Sequence, residues 1–201
     1  MPAGNPLAGA RLYLITGARP DLADFLRAAV AGGVDAAQIR EKSLPDLQLL
    51  RGLAVAREVT AALGVPLVVN DRPDLAVLIG ADAVHVGQED LPVEEARRFG
   101  LPVGQSTHAA REIDLSGADY LGVGPVFATP TKEGRPAVGL ELVRYAAASA
   151  SVPWFAVGGI DASNVAAVRE AGARRIAVVR AIGDAPDPEA AARALCASLD
   201  R

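Results

Sequence analysis

Short apolar runs alternate along this chain with segments whose apolar positions recur at helical spacing. The first run, Leu12-Tyr13-Leu14-Ile15-Thr16, reads as a strand. Residues 21–30 then place Leu22, Phe25, Leu26 and Ala29 on one helical face and stop at Gly32-Gly33. The run 35–40 predicts a second strand. Ser43 is a candidate N-cap, with Asp46 three residues on, for a helix through Leu47, Leu50 and Ala54 that ends at Gly64. The same alternation predicts strands at 65–70, 82–86, 101–105, 119–123, 152–157 and 175–179. Helices are predicted at 73–79, 93–99, 109–115, 140–148, 164–171 (with Ser163 as N-cap) and 188–199, and a longer polar loop at 127–136.

Eight strand–helix pairs in strict alternation imply a parallel sheet with right-handed crossovers. Eight pairs suggest a closed (β/α)8 TIM barrel, an α/β fold. At 201 residues the chain is shorter than the ~250 usual for that fold, so its loops must be short. A related phrase recurs at 31–35, 79–82, 116–119 and 171–174 (Ala-Gly-Gly-Val-Asp, Ile-Gly-Ala-Asp, Ser-Gly-Ala-Asp, Ala-Gly-Ala-Arg). In each, Gly can close a helix before a tight turn into the next strand. An open doubly wound sheet usually carries a Gly-rich phosphate fingerprint after its first strand, and Thr16-Gly17-Ala18-Arg19-Pro20 is not one. Residues 1–10 read as a flexible tail without the pattern of a secretory signal, which leaves 11–201 as a single barrel domain.

Composition narrows the function. No apolar run approaches the roughly 18 residues of a membrane span, and a net charge of −4 without a basic stripe argues against nucleic-acid binding. A single cysteine, Cys196, excludes an internal disulfide framework or a cysteine-cluster metal site, which fits a cytoplasmic protein. Only two of the 20 basic residues are lysines, Lys42 and Lys132, and both stand in polar loops after strand-like runs.

In a barrel the residues just after the strands converge on one rim, where active sites sit. Gln38, Arg40 and, were the strand to continue, Lys42 share a face. An amide, a guanidinium and an ammonium together suit a polyanion such as a diphosphate. Later strands deliver Asn70-Asp71, Gln88-Glu89-Asp90, Ser106-Thr107-His108, Thr129-Pro130-Thr131-Lys132, Gly158-Gly159 and Arg180. Asp71 and Asp90 could share a magnesium ion, which prefers few carboxylates plus waters and phosphate oxygens. Alternatively each caps a helix, since Arg72-Pro73 and Leu91-Pro92 follow them. Gly158-Gly159 before a helix lets backbone N–H groups approach an anion, or is a mere turn. Ser106 lacks a nucleophile elbow, so ligand hydrogen bonding suits it better than nucleophilic attack. His85, between Val84 and Val86, reads as a satisfied core or supporting histidine.

These motifs, in order and at these spacings, resemble those of the thiamine-phosphate synthase family over nearly the whole chain. They are Gln38-Ile39-Arg40-Glu41-Lys42, Val69-Asn70-Asp71-Arg72, His85-Val86-Gly87-Gln88-Glu89-Asp90, Gly104-Gln105-Ser106-Thr107-His108, Gly122-Val123-Gly124-Pro125-Val126-Phe127, Thr129-Pro130-Thr131-Lys132 and Gly158-Gly159-Ile160. The resemblance implies a (β/α)8 transferase that joins a pyrimidinylmethyl diphosphate to a thiazole phosphate, or to its carboxylate with loss of CO2. It implies that residues 38–42 (Gln38, Ile39, Arg40, Glu41, Lys42), with Asn70 and Lys132, hold the pyrimidine diphosphate, that Asp71 and Asp90 hold Mg2+, and that Ser106 meets the pyrimidine. Thr129, Pro130, Thr131, Gly159, Val179 and Arg180 would bind the thiazole phosphate. Arg40, Lys42, Lys132 and Ser106 would carry the chemistry. The partners implied are small molecules, with neither nucleic acid nor membrane, and a homo-oligomer is left open. Two departures stand out: Gly17 where the family often has Asp, and Arg180 where many members have Ser.

Three other readings compete. A related thiazole tautomerase on the same fold would use His108 but needs neither Asp90 nor Lys132. A non-catalytic sensor would have lost leaving-group contacts that are present here. A sugar-phosphate isomerase would have no diphosphate for the cations to meet.

Overall fold

The computed structural model describes residues 4–129 and 136–199. Eight parallel strands close into a barrel in sequence order: β1 (Leu12–Thr16), β2 (Ala36–Ile39), β3 (Leu67–Asn70), β4 (Ala83–Val86), β5 (Val103–Thr107), β6 (Tyr120–Val123), β7 (Trp154–Val157) and β8 (Ile176–Val178). Helices α1 (Leu22–Ala31), α2 (Asp46–Leu63), α3 (Pro73–Ile79), α4 (Val93–Arg97), α5 (Ala110–Leu115), α6 (Gly139–Ser149) and α7 (Val165–Glu170) connect them. A single turn, α8 (Arg180–Gly183), and α9 (Pro188–Leu199) follow β8. Among the described residues, the short turn after β8 is the one helix that the periodicity did not indicate, because four residues carry no readable period.

Side-chain alternation builds two cores. Outward positions such as Leu14, Ile39, Val69, Val86 and Leu121 pack under the helices. Inward positions Tyr13, Ala36, Val68, Ala83, Tyr120, Phe155 and Ala177 form a separate layer inside the barrel. Leu7 completes that layer from below and is fully buried, and Asn5 Nδ2 donates to the Asp119 carbonyl at 2.7 Å. The described part of the stretch read from sequence as a flexible tail, from residue 4 on, therefore supplies a plug for the barrel floor, the apolar Leu7 side chain having nowhere drier to go. Three aromatic rings fill this floor where most other strands offer alanine or valine. Tyr13 lies 5.1 Å from Phe155 and 6.4 Å from Tyr120, centroid to centroid. Room for Tyr120 comes from its register partner Gly104.

The recurring Gly-x-Asp phrase has a second function beside closing helices. It precedes the even-numbered strands, and its aspartate accepts backbone N–H groups at the start of the preceding strand. Asp35 accepts Arg11 N (2.9 Å) and Leu12 N (3.0 Å), Asp82 accepts Leu67 N (2.8 Å), and Asp119 accepts Val103 N (2.8 Å). Asp82 and Asp119 are also ion-paired with Arg57 and Arg97. These N–H groups would otherwise lie unsatisfied at the bottom of the barrel. Before β8 the phrase ends in arginine instead, and Arg175 donates to the Ala8 carbonyl of the N-terminal plug at 2.9 Å.

Candidate active site

A cavity of about 280 Å³ opens at the C-terminal ends of the strands, floored by Tyr13, Tyr120 and Phe155. Eleven of the residues expected at the site line it: Gln38, Arg40, Lys42, Asn70, Asp71, Asp90, Ser106, Thr129, Gly159, Val179 and Arg180. Two of the expected residues do not. Ile39 is on the outward face, 1% exposed in the core beneath the helices. It has to be, because its neighbours Gln38 and Arg40 point inward. Glu41 turns its carboxylate onto its own loop, accepting Lys42 N and Ser43 N (both 2.9 Å) and the Ser43 hydroxyl (2.7 Å). These bonds outweigh partial burial and hold its carboxyl below the usual range. Ser43 is thereby occupied, and α2 begins at Asp46 without a side-chain cap. Pro130, Thr131 and Lys132 lie outside the described residues.

One wall of the cavity carries both carboxylates. Neither caps a helix: α3 and α4 have Arg72 and Pro92 at their N-cap positions, without side-chain cap bonds. Asp71 ends β3 in the left-handed region (φ 62°), unusual for a residue with a side chain. Its N–H donates to the His85 carbonyl at 2.8 Å. Asp90 is held by Gly87 N–H at 2.8 Å. The two carboxyl groups flank the Lys42 ammonium, and the charge of each acts on the other. Burial, reinforced by the neighbouring Asp90 charge, raises Asp71 despite Lys42. Burial also pushes Asp90 up, but the neighbouring Asp71 carboxyl, the bond from Gly87 N–H and the charges of Lys42 and Arg40 together keep it below the ordinary value. Lys42 Nζ sits 3.0 Å from Asp71 Oδ2 and 3.9 Å from Asp90 Oδ1.

Such a crowded pair of negative charges is what a divalent cation neutralises. Among the described residues no cluster of three or more His, Cys, Asp or Glu could cage a metal. Two carboxylates alone fit magnesium, which keeps waters and takes phosphate oxygens, better than an ion needing an all-protein shell.

Deeper in the cavity the polar groups are nearly all buried. Gln38 Nε2 donates to Tyr13 Oη at 2.5 Å. Asn70 Nδ2 is buried and has no hydrogen-bond partner among the described residues, so it is a donor ready for a ligand. Ser106 lies within β5 rather than after it, as the sequence had suggested, because the strand runs two residues further than the apolar run. Its hydroxyl is 3.0 Å from His85 Nε2, and its carbonyl accepts Gln88 Nε2 at 2.7 Å. His85 thus supports Ser106, as its apolar flanks implied. Burial raises the hydroxyls of Tyr13 and Tyr120 well above the usual tyrosine range, so both stay neutral.

The opposite wall is built for close backbone approach. Gly158 and Gly159 have φ of 102° and 64°, and a Cβ on Gly159 would stand 2.8 Å from Phe127 Cβ. The expected N-cap after this turn also shifts by one residue. Asn164 precedes α7 and accepts Asp161 N–H, while Ser163 Oγ donates to Asp161. Arg180 lines the cavity on this side and has no ion pair among the described residues. His108 does not line the cavity, and its Nδ1 contacts the Gly124 carbonyl.

The aromatic floor was missed from sequence. Its signal was available in the two-residue period: Tyr13, Tyr120 and Phe155 each lie two positions before another inward residue, Ile15, Gly122 and Val157, that also lines the cavity.

Similarity to known proteins agrees with this geometry. The thiamine-phosphate synthase of Thermus thermophilus is 55% identical over 200 residues, covering 92% of this chain and 95% of that protein. That of Gloeobacter violaceus is 53% identical over 188 residues and covers 90% of this chain. The chain spans only 55% of that longer relative. Among solved structures, the thiamine phosphate pyrophosphorylase from Pyrococcus furiosus superposes with a TM-score of 0.86 at 33% identity, over 98% of this chain and 96% of that one. A 3-hexulose-6-phosphate synthase, 21% identical with a TM-score of 0.68, shares the fold alone. The family model described as thiamine monophosphate synthase matches residues 12–182, and the chain belongs to that family.

Proposed function

We propose that this protein is a thiamine-phosphate synthase that joins 4-amino-2-methyl-5-(diphosphooxymethyl)pyrimidine to a thiazole phosphate, or to its carboxylate with CO2 loss, releasing diphosphate. One observation carries the reading. A single barrel-mouth cavity sets Arg40, Lys42 and the Asp71–Asp90 pair on one wall and the Gly158–Gly159 turn with Arg180 on the other. That gives one pole for a diphosphate and another for a monophosphate.

The reaction breaks the C–O bond to diphosphate, whose oxygen keeps the electron pair, and forms a C–N bond from the thiazole nitrogen lone pair. Departure of the diphosphate first would leave a pyrimidine-stabilised cation. Such a substitution needs stabilisation of the leaving charge and close positioning, not a strong base. Arg40 offers a fork of donors to phosphate oxygens, and Lys42 and Lys132 offer point charges. A magnesium ion held by Asp71 and Asp90 would supply further neutralisation of those oxygens. Gln38, Asn70 and Ser106 are positioned to orient the pyrimidine above the aromatic floor, and His85 fixes the Ser106 hydroxyl. The mostly apolar interior limits water that would capture the cation. At the other wall, backbone N–H groups at Gly159 and the turn at Val179-Arg180, with Thr129, receive the thiazole phosphate, and Arg180 adds a charge that the family pattern usually lacks.

The tautomerase alternative is disfavoured because His108 is turned to the Gly124 carbonyl rather than into the cavity. No helix among the described residues is long and apolar enough to cross a membrane. Incubating the purified protein with both substrates should give diphosphate and thiamine phosphate in equal amounts, with little of either without Mg2+. Tight binding of both substrates without either product would overturn the assignment in favour of a sensor.

A further inference from the structure

Lys42 stands at a position that makes it more than a phosphate ligand. Its Nζ is 3.0 Å from Asp71 Oδ2 and 3.9 Å from Asp90 Oδ1, bridging the two carboxylates that would hold a divalent cation. The carboxylates are themselves fixed. Asp90 is tied to Gly87 N–H, and Asp71 is set by its left-handed backbone and by its N–H bond to the His85 carbonyl. The lysine is not fixed, since its side chain is about half exposed (51%) and no further ion pair or hydrogen bond restrains its Nζ among the described residues. In a chain where 18 of 20 basic residues are arginine, this position uses lysine. A compact charge on a flexible stem can move between partners, whereas a guanidinium fork locks onto one.

We propose that Lys42 is an internal counter-ion, occupying the cation position between Asp71 and Asp90 until a divalent cation arrives together with the diphosphate. This rests on the reading that these carboxylates hold the metal. An ammonium and a divalent ion a few ångströms apart repel strongly, and two carboxylates cannot balance three positive charges. In the free enzyme Lys42 therefore opposes metal entry. A diphosphate brings the negative charge that lets both cations stay, and its oxygens give the Lys42 ammonium a new partner. Lys42 thus couples metal occupancy to the presence of the leaving group.

The test is metal binding without turnover. Mn2+ affinity would be measured by titration, without substrates, for the parent protein, Lys42→Met, Asp90→Asn and Lys42→Met/Asp90→Asn. Lys42→Met should bind Mn2+ on the order of tenfold more tightly than the parent, and Asp90→Asn should abolish the gain. Saturating inorganic diphosphate should tighten the parent more than the variant. Equal or weaker binding by Lys42→Met overturns the proposal. If Asp90→Asn alone leaves parent affinity unchanged, the metal site itself is misassigned and the proposal fails with it. Should Lys42→Met not fold, the parent still decides. With only two lysines, the Nζ and Cε resonances in a lysine-labelled sample can be assigned with Lys132→Arg. Saturating Mg2+ should shift those of Lys42, and their failure to move counts against the idea.

Discussion

Replacing Gly104 with alanine is the sharpest structural test, because its consequence follows from a distance. Gly104 is the direct register partner of Tyr120 across β5 and β6. A Cβ on Gly104 would fall against Cζ and Cε2 of the Tyr120 ring and only 2.5 Å from its Cε1, where carbon atoms prefer about 3.5–4.0 Å. The ring cannot easily retreat. It is fully buried, with Phe155 6.3 Å away, Tyr13 6.4 Å and His85 5.6 Å, centroid to centroid. Overpacking of a tight core costs ~1–3 kcal/mol, and three ring atoms inside contact distance place this change at about 3 kcal/mol. For a chain of this size each kcal/mol lowers Tm by ~2–4 °C, so Gly104→Ala should melt ~6–12 °C below the parent in a thermal scan. Adding Tyr120→Leu should recover part of that loss, giving a coupling of about 1 kcal/mol or more in a double-mutant cycle. Since Tyr120 floors the cavity, KM for the pyrimidine diphosphate should also rise. A Tm within a degree of the parent would refute the packing argument.

Other outcomes follow from the site and the repeats. Gly159→Ala combines a left-handed backbone with a Cβ 2.8 Å from Phe127, so steady-state kinetics should show a higher KM for the thiazole phosphate with that for the pyrimidine diphosphate little changed. Lys132→Ala should slow turnover on the order of 10²–10³, as for loss of one preorganised stabilising group, and near-normal kcat would remove Lys132 from the chemistry. Asp119→Ala leaves Val103 N–H without its acceptor and Arg97 without its ion-pair partner, with only the Gly117 carbonyl among the described residues left to accept from it. It should lower stability by about 1–2 kcal/mol in urea denaturation while leaving kcat unchanged.

Strand and helix alternation was legible because each strand is a short apolar run set off by polar turns, and the closed barrel followed from the count of eight. The rim residues were legible for the same reason: topology brings strand ends together whatever the side chains are. Ile39 and Glu41 were carried along with a contiguous motif. The strand period excludes the first, and loop hydrogen bonding diverts the second. The capping alternative for Asp71 and Asp90 could not be dismissed from sequence, since Pro73 and Pro92 mark helix starts equally well whether or not the preceding aspartate turns back to cap them. Only three-dimensional proximity showed that the two carboxylates meet. The strand-tying aspartates at 35, 82 and 119 were visible as a repeat, but their long-range acceptor function was not. The buried Leu7 was hidden because one apolar residue in a Gly- and Pro-rich stretch carries no period.

The role of the paired carboxylates is decided by the initial rate of diphosphate release, from both substrates together, as Mg2+ is varied in the parent, Asp71→Asn and Asp90→Asn. The parent should show a saturable Mg2+ requirement. In each variant kcat should fall on the order of 10²–10³, and the Mg2+ concentration for half-maximal rate should move upward. Magnesium curves that superpose across all three proteins would mean that the paired carboxylates are not where the leaving group is neutralised.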